Sequence, residues 1–474
     1  PQGRAVVLAK TVLDSTGSAD IAIAAESAFE YTGKSSVAVQ GCGLGYFRLN
    51  DSYNNNDWTF IDDSDVLDVS RAFIGAKNKF RNDYYDVCKM PQTRERRRIV
   101  GEHAVSITDI LNLRRYSDTI SIHHSSFDTH GFTIDTFFTL KQPAPSSVAY
   151  TADVPLRSLL PQAIDGIVVT GLGASAHRDA MPVIRMQACL QNQGYAVGIL
   201  AAVAAKEGKS VRQVNIKEIQ RRLVAIGNLP ERVLSDQDDY GFTDAAFQNA
   251  ARTVINSFEG LEVLMTDTQR AIPLLKQQYV ASTGDARVVY AQILAMLGIA
   301  DGWKDLVARI DSYTEWDEGW KFTAGGQFGR NMSPLDGLII ALGHTKEKAA
   351  IDAVISKVKL LTPEQKFSHF RAVAIACELI GEKKASESLY NLLNMDGIRG
   401  NEVLDYNAAR KAVVPFKDDV TFRNKALKEL HLARALYRCG DFNGLGENIL
   451  TAYANDLHGH YARHAGQILV ENIK

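Results

Sequence analysis

Long apolar runs are missing from this sequence. No stretch reaches the roughly eighteen apolar residues needed to cross a bilayer, and the most apolar long segment, residues 195–205, is short and Ala-rich. No membrane partner is therefore expected. Excess charge of one sign is missing as well. Lys and Arg number 53 against 55 Asp and Glu, a formal net charge of −2, so nothing steers the chain toward a polyanion and no nucleic-acid partner is expected. The basic run Arg94–Arg98 is interrupted by Glu95 and is a local feature. Cysteine is scarce and scattered: Cys42, Cys88, Cys189, Cys377 and Cys439 contain no close pair. They form neither a disulfide framework nor a zinc motif, which favours a cytoplasmic setting. No signal peptide opens the chain, which starts at Pro1-Gln2-Gly3-Arg4 and passes at once into a strand-like run. With 46% hydrophobic residues there is ample material for buried cores, and 474 residues set a prior of about three domains.

What is present falls into three zones. Residues 1 to about 150 read as mixed α and β. Strands are expected over 5–9 and 11–13, then a turn at Asp14-Ser15-Thr16-Gly17 and a helix over 21–29. A strand fragment at 58–61 precedes a helix over 64–80, where Val66, Leu67, Val69, Ala72, Phe73, Ala76 and Phe80 recur mostly at spacings of three and four. Strands are expected at 120–122 and 132–140, and Pro143–Ser147 reads as a linker. The second zone, 151–226, has strand–loop–helix grammar. A buried-type strand over 164–171 leads into a Gly/Ser/His loop and a long helix over 181–205, with a further helix over 215–226. From about 240 onward the pattern is helical. Gly298, Gly343, Gly381 and Gly440 each follow an apolar helix end, a C-cap signal, at intervals of 45, 38 and 59 residues. Such spacing fits a HEAT/armadillo-like superhelix or, alternatively, an irregular helical bundle. The fold class is thus α/β with an α+β insertion, followed by an all-α domain.

Chemistry concentrates in the second zone. Gly171-Leu172-Gly173-Ala174-Ser175-Ala176 has the form of a dinucleotide loop directly after a strand, where glycines let backbone approach a phosphate. No acid lies near residue 191 to hold a ribose. The wider string runs from Val154 through the 164–171 strand and Gly173-Ala174-Ser175-Ala176-His177-Arg178-Asp179-Ala180. It continues through Ile184-Arg185-Met186-Gln187 to Asn192-Gln193-Gly194-Tyr195-Ala196-Val197-Gly198. It resembles the C-terminal flavin-binding segment of FAD-dependent oxidoreductases of the glutathione-reductase-like superfamily, above all a bacterial subgroup sometimes labelled xanthan lyase. Two further segments resemble the same subgroup: Val12-Leu13-Asp14-Ser15-Thr16-Gly17-Ser18-Ala19-Asp20, and the run from Arg97-Arg98-Ile99-Val100-Gly101-Glu102 through Tyr116-Ser117-Asp118 to Asp128-Thr129-His130. Together they span residues 4 to about 210 in the family's order.

The resemblance implies FAD as cofactor and a partial Rossmann-like FAD/NAD(P)-binding domain. Its first part would be residues 1–30 and its C-terminal part 151–230, flanking a substrate-side α+β domain at 31–150, with a helical repeat-like domain at 240–474. Gly171, Gly173, Ala174 and Ser175 would lie against the flavin or its ribityl chain. Thr16 and Gly17 would pass near the adenine-side phosphates, and the N-terminus of the 181–205 helix would face the isoalloxazine. His177, Arg178, His130 and Asp128 are the catalytic candidates on the substrate side, facing a small-molecule or saccharide-like substrate. The family's leading Gly-x-Gly-x-x-Gly fingerprint should precede residue 1. The nearest approach, Gly41-Cys42-Gly43-Leu44-Gly45, has the wrong spacing, so the chain is expected to be part of a longer flavoprotein. Alternatives are a helical-repeat binding or scaffold protein with a vestigial flavin fold, its helical domain docking a protein partner, and a polysaccharide lyase. His458, His460 and His464 lack a completing carboxylate or thiol, and His123-His124 lies in a strand-like run whose side chains alternate faces and cannot chelate together, so no metal is expected. Trp303, Trp316, Trp320 and Phe322, followed by Gly325-Gly326, are either a binding loop or core packing between helices.

Overall fold

The computed structural model describes residues 6–37, 40–42, 44, 57–80, 91, 93–142, 148–319, 332–414 and 420–471. The chain divides into two compact units, each assembled from separated stretches: 1–31, 96–128 and 144–242 form the first, and 32–95, 129–143 and 243–474 the second. The 31–150 stretch is thereby shared, its 96–128 portion lying in the first unit and the remainder mostly in the second.

The first unit is mixed α/β and holds every strand among the described residues. Strand β1 (Val12–Asp14), β2 (Phe29–Glu30), β3 (Arg98–Ile99), β4 (Thr119–Ser125), β5 (Tyr150–Pro155) and β6 (Ile167–Val169) form three two-stranded ribbons. The one that matters most here is parallel: Val12 pairs with Ile167, Leu13 with Val168 and Asp14 with Val169. β2 and β3 run antiparallel, as do β4 and β5, the latter with an irregularity between Thr119 and Ser121. Ala19, Ala22, Ile99, Ile167 and Val169 make a small core under the parallel pair. The Gln187–Glu207 helix packs on β1 and β4 through Ala196, Val197, Leu200 and Ala204, all fully buried; small residues on that face let helix and strands approach closely. Gly208, left-handed at φ +67, ends the helix because a glycine takes that conformation without a Cβ clash.

The second unit is helical. The Pro334–His344 helix packs on Phe367–Ile380, that helix on Thr421–Arg438, and that in turn on Leu445–Tyr453. The Val66–Lys79 helix starts at Asp65, whose carboxylate accepts from the Leu67 and Asp68 amides. It buries Ala72, Ala76 and the following Phe80 against Cys42, Leu44, Trp58 and Ile61.

Several sequence expectations are corrected. Residues 6–9 form no strand: Val6, Val7 and Leu8 are largely exposed, and the parallel pair draws its β1 from Val12 onward. The helix expected over 21–29 stops at Ala24, and 58–61 contributes only an isolated bridge between Thr59 and Cys42. The strand expected over 132–140 is in part the helix Thr136–Leu140, started by the Asp135 carboxylate accepting from the Phe137 amide; a cap overrode the β-rich composition. The single helix over 181–205 is two, Met181–Ile184 and Gln187–Glu207. Between them Arg185 donates to the Asp128 carbonyl and carboxylate, and Met186 is extended. Of the four stopping glycines, Gly298, Gly381 and Gly440 are left-handed after helices. Gly343 instead lies inside Pro334–His344, where an added Cβ would stand 2.6 Å from the Ala376 Cα. It is there for helix–helix approach, not for termination. The Pro143–Ser147 linker, Cys88, Trp320, Phe322, Gly325 and Gly326 lie outside the described residues.

Candidate functional site

The parallel pairing of β1 with β6 brings together two loops far apart in sequence. Both leave the C-terminal ends of their strands, where open α/β sheets bind ligands. The Thr170 amide donates to the Asp14 carbonyl at 3.0 Å, and the Ser15 and Thr170 hydroxyls bond at 2.9 Å. Ser15 and Thr16 are exposed, and Gly17, Gly171 and Leu172 are half-buried. These five residues form one accessible rim.

The first loop is built around Asp14, which is 1% exposed. One carboxylate oxygen accepts from the Thr16 amide and hydroxyl at 3.1 and 2.7 Å; the other accepts from the Ile21 and Ala22 amides, both at 2.9 Å. Thr16 in turn accepts from the Asp20 amide. Charge-assisted bonds of this kind are the strong ones, so Asp14 holds the turn and the start of the Asp20–Ala24 helix in one shape. Gly17 has φ +83, and a Cβ there would lie 2.8 Å from the Arg96 guanidinium. Arg97 pairs with Asp20. The turn therefore carries two arginines, one of them packed against its glycine.

The second loop is more closed. The Gly171 amide donates to the Gln193 side chain at 3.1 Å, and Gln193 also donates to Ser121 on β4. The Ala174 amide reaches the Gly171 carbonyl and the Ser175 amide the Ser158 carbonyl. Gly171, at φ +73, would set a Cβ only against the Leu190 methyl at 3.7 Å, whereas Gly173 would press one on the Ala19 amide and Val169 at 3.0 Å. A flat cofactor can thus lie on Gly171, Leu172, Ser15, Thr16 and Gly17. Gly173, Ala174 and Ser175 are buried, and Gly173 serves packing between the two loops themselves. The residues fit a flavin along the rim and not along the whole Gly171–Ser175 loop.

The four catalytic candidates do not form one cluster. His177 is half-buried; its Nδ1 accepts from the Asp179 amide at 3.2 Å, and its own amide donates to Val105. Arg178 is buried. Asp128 bonds Arg185 at 3.1 Å. His130 belongs to the second unit, where its Nδ1 lies 2.5 Å from the Asp57 carboxylate. Asp57 also pairs with Arg94 at 3.1 Å, and all three are buried. Asp128 and His130, two residues apart, thus serve different partners. Gly41, from the Gly41–Gly45 run, donates to the His130 carbonyl and would set a Cβ 2.4 Å from Asp57, so it too is an internal packing position; Gly43 and Gly45 lie outside the described residues.

Sequence reasoning passed over Asp14 and Arg185. The Asp-x-Thr spacing of an Asx-type turn signalled the first, and a charge interrupting an apolar run signalled the second. It also passed over a buried cluster at Asp109. Arg114 bonds that carboxylate at 3.0 Å and Tyr240 donates to it at 2.5 Å, with His103 at 3.5 Å. These hydrogen bonds, outweighing burial, hold Asp109 far below the usual carboxylate range, and burial beside it pushes Tyr240 up to about 12. Ser106 and Asp109 also form the capping box of the Ile107–Leu111 helix, so the cluster is structural. Among the described residues no three His, Cys, Asp or Glu side chains converge on a metal position, and no helix is long and apolar enough to cross a membrane. His460 and His464 face inward, bonding Thr32 and the Gly33 carbonyl.

No curated protein and no solved structure matches this chain. The family model described as FAD dependent oxidoreductase matches residues 50–223, so the stretch that carries β6, the Thr170–Ser175 loop and His177 is similar to that family.

Proposed function

We propose that this protein transfers a hydride between bound FAD and a small-molecule or saccharide-like substrate. The observation that carries the reading is the meeting of the Asp14–Gly17 and Thr170–Ser175 loops at the C-terminal ends of β1 and β6. The first of these loops lies outside the matched stretch and is brought to the second by the β1–β6 pairing. FAD, when bound, supplies the two-electron acceptor. The chain's own part is positional and electrostatic. Ser15, Thr16, Gly17, Gly171 and Leu172 offer the rim, and Arg96 beside Gly17 supplies positive charge for a phosphate. On the substrate side His177 is the foremost candidate for moving a proton. Its Nδ1 accepts from the Asp179 amide, so the neutral ring carries its proton on Nε2 as a donor. Arg178 would stabilise charge beside it, Asp128 would orient Arg185, and His130 would act as a positioning residue through Asp57. The helices of the second unit, packed in succession, would form the HEAT/armadillo-like array.

A second reading has its own support. The Thr16 hydroxyl and the amides at Asp20, Ile21 and Ala22 are already satisfied by Asp14 and Thr16, as expected of a vestigial flavin fold serving as scaffold. A flavin titration separates the two. The oxidoreductase reading expects a yellow protein, or saturable quenching of FAD fluorescence, weakened at least about tenfold by Leu172→Glu, the loss of roughly 1.4 kcal/mol of contact. A folded protein that takes up no FAD refutes it. Gly173→Val is the wrong probe, because its Cβ would strike Ala19 whether or not a cofactor binds.

A further inference from the structure

The second unit contains a cavity of about 380 Å³, within the range of small-ligand sites. Two helices line it by regular spacing. Thr421–Arg438 contributes His431, Arg434 and Arg438, and Phe367–Ile380 contributes Arg371, Ile375, Glu378 and Leu379. Positions three and four apart share a helix face, so each helix turns one edge toward the cavity. Arg434 and Arg438 share Glu378, at 2.7 and 3.0 Å, and Arg438 also reaches Glu471. Arg371 donates to the Thr133 carbonyl and stacks on Phe132.

Two buried groups are left over. Arg434, 3% exposed, donates through Nε to Glu378 and through NH1 to His464 and Ser35; its NH2 has no partner among the described residues. His431, 4% exposed, donates from Nδ1 to the Leu427 carbonyl at 2.9 Å, which leaves Nε2 as a bare acceptor. Burial, with Arg434 and Arg371 nearby, keeps this imidazole neutral. An unpartnered guanidinium nitrogen and an imidazole acceptor, one helical turn apart in a wall that also carries Arg371, Glu378 and Arg438, ask for opposite things from one ligand: an anionic oxygen and a hydrogen-bond donor. Phe132, Ile134 and Ile340, with Ile375 and Leu379, supply the apolar part of the lining.

We propose that this cavity binds a small organic carboxylate, its anionic oxygen on Arg434 NH2, its own hydroxyl donating to His431 Nε2, and its apolar body against Ile375 and Leu379. The site lies wholly within the second unit and needs no flavin. Phenyllactate is a suitable probe, with phenyllactamide as its uncharged counterpart, titrated calorimetrically into the full chain. Saturable one-site binding of phenyllactate is expected, with the amide at least about tenfold weaker, as the loss of a hydrogen bond to a charged group implies. Ile375→Trp, which fills the cavity and removes no charge, should abolish binding. Should that variant fail to fold, Arg434→Lys decides, with an expected loss of about tenfold. No saturable binding to folded wild-type protein, equal binding of acid and amide, or unchanged affinity in either folded variant overturns the proposal.

Discussion

Replacing Asp14 by Ala removes the carboxylate that accepts four of the first loop's donors. The Ala22 amide is in a buried bond, so water cannot replace the lost acceptor, and an unsatisfied buried donor costs about 1–3 kcal/mol. The Ile21 amide and the Thr16 amide and hydroxyl are part-buried, and water recovers much of their loss. The local penalty is therefore about 3 kcal/mol, dominated by Ala22 with smaller additions from the other three. The chain has two compact units, so a single denaturation midpoint is an ambiguous measure. Hydrogen exchange of a peptide spanning residues 12–25, followed by mass spectrometry, reads the loop directly. Protection there should fall by roughly a hundredfold, the factor that corresponds to about 3 kcal/mol, while peptides from the second unit keep theirs. Asp14→Asn retains one acceptor and should fall by a lesser factor. Protection of the Asp14→Ala loop within about threefold of wild type, a difference under about 1 kcal/mol, would refute the assignment of Asp14 as the organiser of this loop.

Other perturbations test the frame around it. Gly343→Val should force the Pro334–His344 and Phe367–Ile380 helices apart, since the contact is with Ala376 backbone; a loss of about 1–3 kcal/mol should appear in urea unfolding of the second unit. Asp57→Ala strands Arg94 and His130 in a buried setting and should destabilise that unit by about 3–5 kcal/mol, read the same way. His464 donates to the Gly33 carbonyl and accepts from Arg434, an arrangement only the neutral ring satisfies; burial, then the Arg434 charge, push it down to about 3. The unfolded ring titrates near 6.5, so as pH falls from about 6.5 toward 3 the unfolded state binds the extra proton and stability falls. The slope should approach about 1.4 kcal/mol per pH unit for this group. His123, buried in the first unit and pushed down to about 4, adds a similar slope there over pH 6.5 to 4. Unfolding followed between pH 7 and 5 should show the fall, and His464→Gln should reduce it in the second unit, where His431, His344 and His460, also held down by burial, still contribute; an unchanged slope would count against a neutral His464.

How much was legible depended on whether the cause was local. The Val66–Lys79 and Ile216–Ala225 helices follow from their own apolar spacing and their Asp65 and Asn215 caps, and β6 followed from a run of β-branched residues before a glycine. The left-handed glycines after helices, Gly298, Gly381 and Gly440, were equally readable. The errors share a physical origin. Gly343 and Gly173 obey the same composition rule as a cap or a cofactor glycine, but each is required by a neighbour distant in sequence, Ala376 in one case and Ala19 in the other. The break at Arg185 depends on Asp128, 57 residues earlier.

From sequence alone came the family resemblance, the α/β-then-helical order and the two loops proposed to hold a flavin, because motif spacing and periodicity are written along the chain. Only the tertiary structure decided that those loops adjoin, since the parallel register of β1 on β6 joins residues 155 positions apart. It also decided that Asp128 and His130 part company, and that His431 and Arg434 look into a cavity. A side chain's partner is set by packing across the fold, and that is a property no local pattern encodes.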